Sequence, residues 1–131
     1  MAADVRHRPV HSNKLPKPQG PYSPGVVLDR LVFVAGQGAI DPATGKLVGA
    51  DIETQTEQTL RNIATILEAA GSGLQYVVRC GVFLADMGEF PRMNAVYARI
   101  FGDNRPARTT VQAVLPLPEL RVEIDAIAYV P

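Results

Sequence analysis

The chain has 131 residues, 47% of them hydrophobic and 20% charged, which is typical of an ordinary globular protein and predicts a single domain over 1–131. Lysine plus arginine and aspartate plus glutamate both number 13, so a formal charge of zero offers no attraction to nucleic acid or to an anionic membrane. The single Cys80 excludes an internal disulfide, and neither a long apolar run nor the apolar core of a signal peptide is present, so a cytoplasmic location is predicted.

The chain begins with segments that predict little regular structure. Residues 1–7 are expected to be flexible, and 8–12 predict a short edge strand with a proline near its start. The stretch 16–25 is rich in proline and glycine, which excludes a helix or a central strand. We expect this stiff loop to hold Tyr22 in place.

A tight β-hairpin is predicted next. Residues 26–28 and 31–35 are apolar and are separated by the turn pair Asp29-Arg30. The second run is apolar at every position, so both of its faces are expected to be covered. The G-x-G that follows at 36–38 lacks a third glycine and an adjoining helix, which argues against a dinucleotide site.

Two helices and another strand occupy the middle of the chain. Asp51 can cap a helix that runs to Ala70 and stops at Gly71. An apolar strand is predicted over 76–84 and a second helix over about 91–101. With two strands at the end, this order predicts an α+β fold in which two helices cover one face of a mixed sheet.

The last two strands carry the candidate site. Residues 105–112 and 120–127 alternate apolar and polar side chains, and a loop with two prolines separates them, so an antiparallel pair is the simplest interpretation. In that register Arg108, Thr110 and Glu123 would come within cross-strand reach.

The second face of the final strand changes from polar to apolar. Glu123 and Asp125 are followed there by Ile127 and Tyr129, although the helices are expected to cover only the other face. An apolar sheet face of this kind is normally buried by another subunit. We therefore expect a homo-oligomer whose polar rim forms clefts between subunits.

Several segments of the chain resemble the RidA/YjgF family, the reactive-intermediate deaminases that act on 2-iminobutanoate and 2-iminopropanoate. The similar segments are Gly20-Pro21-Tyr22-Ser23-Pro24-Gly25, Ala35-Gly36-Gln37, Asn94-Ala95-Val96-Tyr97, Pro106-Ala107-Arg108 and Val122-Glu123-Ile124-Asp125-Ala126-Ile127-Ala128. The resemblance implies a chorismate-mutase-like fold and a homotrimer with clefts between neighbouring subunits. It also implies hydrolysis of 2-imino acids to 2-keto acids and ammonia without a cofactor.

The resemblance also assigns roles to individual residues. It implies that Arg108 holds the substrate carboxylate and that Glu123 places or activates the attacking water. Tyr22 corresponds to an aromatic residue that a neighbouring subunit contributes to the cleft. Gly36 corresponds to a backbone contact after the strand, and Asn94 to a polar residue near the pocket.

Two positions depart from the family's common pattern. Ala35 stands where a serine is frequent, so a hydroxyl that could hold water or substrate is missing. Thr110 stands where a cysteine is frequent, a smaller change if that position acts through its backbone.

Alternatives stand beside the enzyme hypothesis. Arg108 and Glu123 could form only an interfacial salt bridge, and the chain could be a non-catalytic member that binds a small carboxylate such as a 2-keto acid. The neutral charge argues against RNA cleavage, another activity attached to the family. Cys80 is expected to be a buried small hydrophobe, and the two histidines lack partners for a metal.

Overall fold

The computed structural model of the protein describes residues 4–131. Two helices within that range, α1 (Ile52–Ala69) and α2 (Phe90–Phe101), cover one face of a mixed sheet. The six strands found there are β1 (Arg8–Pro9), β2 (Gly25–Leu28), β3 (Leu31–Gln37), β4 (Val77–Leu84), β5 (Ala107–Gln112) and β6 (Val122–Tyr129). The predicted α+β class, with both helices on one face, is confirmed. Part of the segment predicted to be flexible, 1–3, lies outside the described residues.

The strand order corrects the predicted pairing of the last two strands. The sheet runs β1-β2-β3-β6-β4-β5, and β5 is parallel to β4 while all other neighbours in this part of the chain are antiparallel. Helix α2 connects β4 to β5, and such a helical crossover returns the chain parallel to the strand it left. Strand β6 then enters between β3 and β4, where both of its edges are hydrogen-bonded. The antiparallel β5–β6 pair was therefore wrong.

The hairpin prediction is confirmed, with one difference. Strands β2 and β3 pair antiparallel, and Asp29 in the turn adopts a left-handed φ of 52°. Val32 and Val34 are buried under the helices, whereas Leu31 and Phe33 remain 42% and 39% exposed. The expectation that both faces of β3 are covered is therefore not met within one chain.

Both helices have the ends that the sequence predicts. The Asp51 carboxylate accepts the backbone N–H of Thr54 at 2.9 Å, which caps α1, and Gly71 follows its last turn with a φ of +82°. Helix α2 buries the side chains of Met93 and Tyr97 against the sheet. Neither helix in the described range is long and apolar enough to cross a membrane.

The side of the sheet away from the helices forms an open face. Its apolar side chains include Leu31, Phe33, Val111, Ile127 and Tyr129, and of these all but Ile127 are exposed. Cross-strand pairs such as Phe33 with Ile127 place these side chains together. An exposed apolar sheet face of this kind is a typical protein–protein contact surface.

Candidate active site

Arg108 lies on the helix side of the sheet, at its β5 edge. Its Cα pairs with that of Cys80, whose side chain is fully buried beneath α2. The guanidinium carbon lies 4.7 Å from the centre of the Tyr97 ring and 5.5 Å from that of Phe90. Cation–π contacts of this kind hold a planar guanidinium in one orientation. Helix α2 therefore positions the arginine that the sequence singled out.

Arg108 opens into a cleft of about 390 Å³, named the arginine cleft. It is lined by Asn94, Tyr97, Ala98, Phe101, Asn104, Arg105, Pro106 and Arg108. Three buried side-chain atoms near Arg108 find no hydrogen-bond partner among residues 4–131: Oδ1 of Asn94, the Tyr97 hydroxyl and Oγ1 of Thr110. Leaving such a group unpaired costs about 1–3 kcal/mol. Two of these residues, Asn94 and Tyr97, line the cleft, so it offers partners to a polar ligand.

The tyrosine beneath Arg108 is kept in its neutral form. Burial raises the pKa of Tyr97 far above its usual value, and the nearby Cys80 adds to this rise, although Arg108 opposes it. Burial likewise raises the pKa of the Cys80 thiol. Both groups are thus uncharged at neutral pH, so Arg108 is the charged member of this cluster and Cys80 behaves as the predicted buried hydrophobe.

Glu123 lies in a separate cleft of about 360 Å³, named the glutamate cleft. Its walls are formed by Pro16, Lys17, Pro18, Gln19, Tyr22, Pro24, Gly36, Gln37, Gly38, Ile40, Gly45, Pro116, Leu117, Leu120 and Glu123. Tyr22 is 50% exposed on the stiff loop, and its hydroxyl oxygen accepts the backbone N–H of Gln19 at 3.2 Å. The loop thus presents the ring toward solvent at the edge of the cleft.

The carboxylate of Glu123 lies directly on the backbone of Gly36. A Cβ atom added to Gly36 would stand 2.5 Å from Oε2 of Glu123, so no other residue fits there without moving the carboxylate. Partial burial raises the pKa of Glu123, and the negative charge of Asp125 raises it further. Gly36 therefore provides space for the acid in addition to its predicted backbone contact.

Arg108 and Glu123 do not meet within one chain, which corrects the predicted cross-strand contact. Strand β4 lies between them, and there Arg108 pairs with Cys80 while Glu123 pairs with Phe83. Cys80 and Phe83 are three residues apart on an unbroken strand, so their side chains point to opposite faces. Arg108 with Thr110 is therefore on the helix face, and Glu123 is on the open face. A salt bridge within the chain is excluded.

The remaining predicted positions are less directly involved. The backbone N–H of Ala35 donates to the carbonyl of Pro24 at 2.9 Å, which joins β3 to the Tyr22 loop. Thr110 lies on β5 two residues after Arg108 and pairs with Val82. Residues 4–131 contain no group of three or more histidine, cysteine, aspartate or glutamate side chains that could hold a metal ion.

The aromatic support of Arg108 was not predicted from the sequence. Tyr97 was named as part of a family segment, and the second helix was predicted to begin after Phe90. A signal was available, because Asn94 and Tyr97 are three residues apart and share one face of α2. Which strand that face would meet depends on the crossover to β5, which the sequence does not show.

Comparison with known proteins shows which family the chain belongs to. The family described as Endoribonuclease L-PSP matches residues 12–130. A RutC family protein of Pyrococcus horikoshii is 46% identical over 92% of this chain and 95% of its own length. Human 2-iminobutanoate/2-iminopropanoate deaminase is 39% identical over 98% of this chain and 93% of the human protein.

Comparison with solved structures indicates the same family of proteins. The crystal structure of a protein of Thermotoga maritima, described as a putative endoribonuclease, superposes with a TM-score of 0.88 at 48% identity, covering 93% of this chain and 96% of that one. The fold is thus that of the small mixed-sheet α+β proteins to which the Rid and YjgF structures belong. The chain belongs to the endoribonuclease L-PSP family, the RidA/YjgF family that its motifs indicated.

Proposed function

We propose that this protein is a 2-imino acid deaminase, which hydrolyses 2-iminobutanoate and 2-iminopropanoate to 2-keto acids and ammonia. The observation that carries the proposal is Arg108. Its guanidinium is oriented by two aromatic rings, faces a cleft with buried unpaired polar atoms, and forms no salt bridge among residues 4–131. A guanidinium held in this way can bind a carboxylate through two parallel N–H donors. The name of the human relative supports the choice of substrate.

The proposed active site requires more than one copy of the chain. The arginine cleft and the glutamate cleft lie on opposite sides of the sheet, so one chain offers each half separately. The apolar open face needs a partner to cover it. We propose a homotrimer in which the arginine cleft of each subunit meets the glutamate cleft of its neighbour. Tyr22 would then enter the site from the glutamate side.

The chemistry follows from these two halves. Arg108 binds the carboxylate and thereby fixes the adjacent C=N carbon. Glu123 accepts a proton from water as its oxygen bonds to that carbon, and the C=N electron pair moves to nitrogen, which takes up a proton. The hydroxyl proton of this adduct then passes to the nitrogen, the C–N bond breaks as the C=O bond forms, and ammonia leaves. Water enters and ammonia departs, so the reaction balances without a cofactor.

The other predicted residues have supporting roles in this proposal. Asn94 and the backbone of Thr110 would contact the substrate beside Arg108, and Tyr22 would close the cleft. Gly36 would leave room for the Glu123 carboxylate. Ala35 contributes no hydroxyl, so any water there must be held by other groups. A cytoplasmic location remains part of the proposal and is consistent with the buried thiol of Cys80.

A coupled assay tests the proposal. A dehydratase generates the imine in place, semicarbazide traps what persists, and the rate of imine loss is compared for wild type, Arg108→Ala and Arg99→Ala. Arg99 is a matched control because it lies on α2 outside the arginine cleft and pairs with Glu57. We expect Arg108→Ala to lower kcat/KM by about 10²-fold, because a charge-assisted pair is lost. Arg99→Ala should stay within about twofold, as surface pairs contribute little.

The opposite result would favour the second candidate function, that of a non-catalytic protein that binds a small carboxylate. If wild type removes the imine no faster than buffer, the deaminase proposal fails. Calorimetric titration with a 2-keto acid would then decide whether the protein is a binding member of the family. Tight binding that Arg108→Ala abolishes would support that function, for which the missing hydroxyl at Ala35 is the motivating observation.

A further inference from the structure

A second carboxylate, that of Asp125, lies beside Glu123 on the open face. The two residues are two positions apart on β6, so their side chains point to the same side. Their partners on β4 are Phe83 for Glu123 and Gly81 for Asp125. Neither the family resemblance nor the proposed reaction gives Asp125 a role.

Asp125 is held far more firmly than its neighbour. Its Oδ1 accepts the backbone N–H of Gly81 at 2.7 Å and lies 3.8 Å from Nη1 of Arg79. A Cβ atom on Gly81 would stand 2.6 Å from the same oxygen, so the glycine makes this contact possible. Both interactions fix the position of the Asp125 carboxylate on the sheet.

Glu123 has none of this support. Within residues 4–131 its carboxylate has no hydrogen bond and no ion pair, and it is half-buried over Gly36. Lys17 and Tyr22 are the other titratable groups that line its cleft, and both are on the exposed loop. From the strands packed against it, β3 presents Gly36 and β4 presents Phe83, which are uncharged. Asp125 is therefore the fixed charge nearest to it on the sheet.

We propose that Asp125 is a positioning residue whose fixed negative charge makes Glu123 able to take up and return a proton. Imine hydrolysis needs both actions, because a proton leaves the attacking water and another reaches the departing nitrogen. A carboxylate with a low proton affinity is a weak base, so a nearby fixed negative charge helps Glu123 to take the proton from water, and the more basic amine nitrogen can then receive it. In this pair Asp125, held by Gly81 and Arg79, supplies the fixed charge, and the unpaired Glu123 exchanges the proton. The direction of the Glu123 pKa shift, raised in part by Asp125, agrees with this role.

The inference rests on the proposed function only for the role that it gives Asp125 during turnover. The coupling of the two carboxylates can be measured without any substrate. Protein labelled with ¹³C at the glutamate carboxyl carbons is titrated by NMR, and Glu123→Gln identifies the Glu123 signal. In Asp125→Asn, we expect the Glu123 midpoint to move to lower pH, because the repelling charge is gone while asparagine can still accept the Gly81 N–H.

Two further variants make the test specific. Arg79→Met leaves the Asp125 charge less compensated, so the Glu123 midpoint should move to higher pH, opposite to the effect of Asp125→Asn. Asp29→Asn is the matched control, since it makes the same chemical change at the distant β2–β3 turn, where asparagine tolerates the left-handed φ. It should leave the midpoint unchanged.

The pH dependence of activity is measured next for the same variants. If the protein is a deaminase, the pH profile of kcat/KM should move in the same direction as the NMR midpoint for both variants. An unchanged midpoint in Asp125→Asn, or an equal change in Asp29→Asn, overturns the inference. If Asp125→Asn fails to fold or to assemble, the direction of the Glu123 midpoint shift in Arg79→Met tests the inference by itself. A shifted midpoint in a protein without deaminase activity would refute the proposed function and leave the coupling standing.

Discussion

Arg108 and Glu123 are held in opposite ways, and each suits its proposed task. Two aromatic rings fix the guanidinium of Arg108, so little ordering is needed when a carboxylate binds. Glu123 lies on a glycine with no partner in residues 4–131, so its proton affinity is open to change. The proposed hydrolysis requires both features. A fixed cation keeps the substrate anchored, and an acid without a partner can exchange protons.

Replacing Glu123 should raise thermal stability at neutral pH and lower activity. A raised pKa means that the folded state binds this proton more tightly than the unfolded state. The resulting stabilisation is fully present below the ordinary pKa of glutamate and is lost as pH rises through the folded value. Glu123→Gln should therefore raise Tm at pH 7 and leave it nearly unchanged at low pH, while kcat falls by about 10²-fold or more.

Thermal unfolding at several pH values checks this expectation. Glu68→Gln, at an exposed position on α1, is the control and should not change Tm selectively at neutral pH. A Glu123→Gln variant that melts below wild type at pH 7 would show that the carboxylate stabilises the fold, which is the reverse of the expected effect.

The elements that carry the site depend on α1 as well as on α2. Helix α1 crosses β3 and β6 and presents fully buried side chains to them, including Leu60, Ile63 and Leu67. These contacts hold β6 between β3 and β4, and with it Glu123. The stability of α1 packing is thus a condition for the glutamate cleft.

A cavity under α1 should weaken the whole sheet. Ile63→Ala removes buried methyl groups at a site with no exposure, and we expect a loss of about 2–5 kcal/mol in the free energy of unfolding. Arg61→Ala, on the exposed side of the same helix, should change it by less than about 0.5 kcal/mol. Urea unfolding at fixed protein concentration measures both. Equal losses would show that α1 does not anchor the core.

The whole molecule combines a well-packed helix face with an uncovered apolar face. Leu31, Phe33, Val111 and Tyr129 are each about two-fifths exposed in one chain, although all four lie on the same face of the sheet. Burial of such a patch against other copies would also bring the two clefts together. Assembly and catalysis are therefore expected to be lost together.

A charge on the open face tests that link. Phe33→Asp should yield a species near the chain mass of 14.1 kDa in light scattering, because burying an unpaired carboxylate between sheets is strongly unfavourable. Its circular dichroism should resemble wild type, and its deaminase activity should fall to background. Val5→Asp alters an exposed apolar residue outside the sheet and should change neither property. An active monomer would contradict the shared-cleft proposal.

The sequence by itself determined the local elements of this protein and its family. Asp51 and Gly71 mark the ends of α1, the turn at Asp29 joins the hairpin, and the motifs around Tyr22 and Arg108 identify the family. These signals work because capping, turn geometry and alternation depend on residues within a few positions of each other.

Only the tertiary structure decided how the strands are ordered and therefore which groups meet. The insertion of β6 between β3 and β4 sends Arg108 and Glu123 to opposite faces, places Tyr97 under the guanidinium and lays Asp125 on Gly81. Strand pairing is set by how the whole core packs, and an alternating strand fits equally well beside several neighbours. The pattern of one strand therefore cannot reveal its partner.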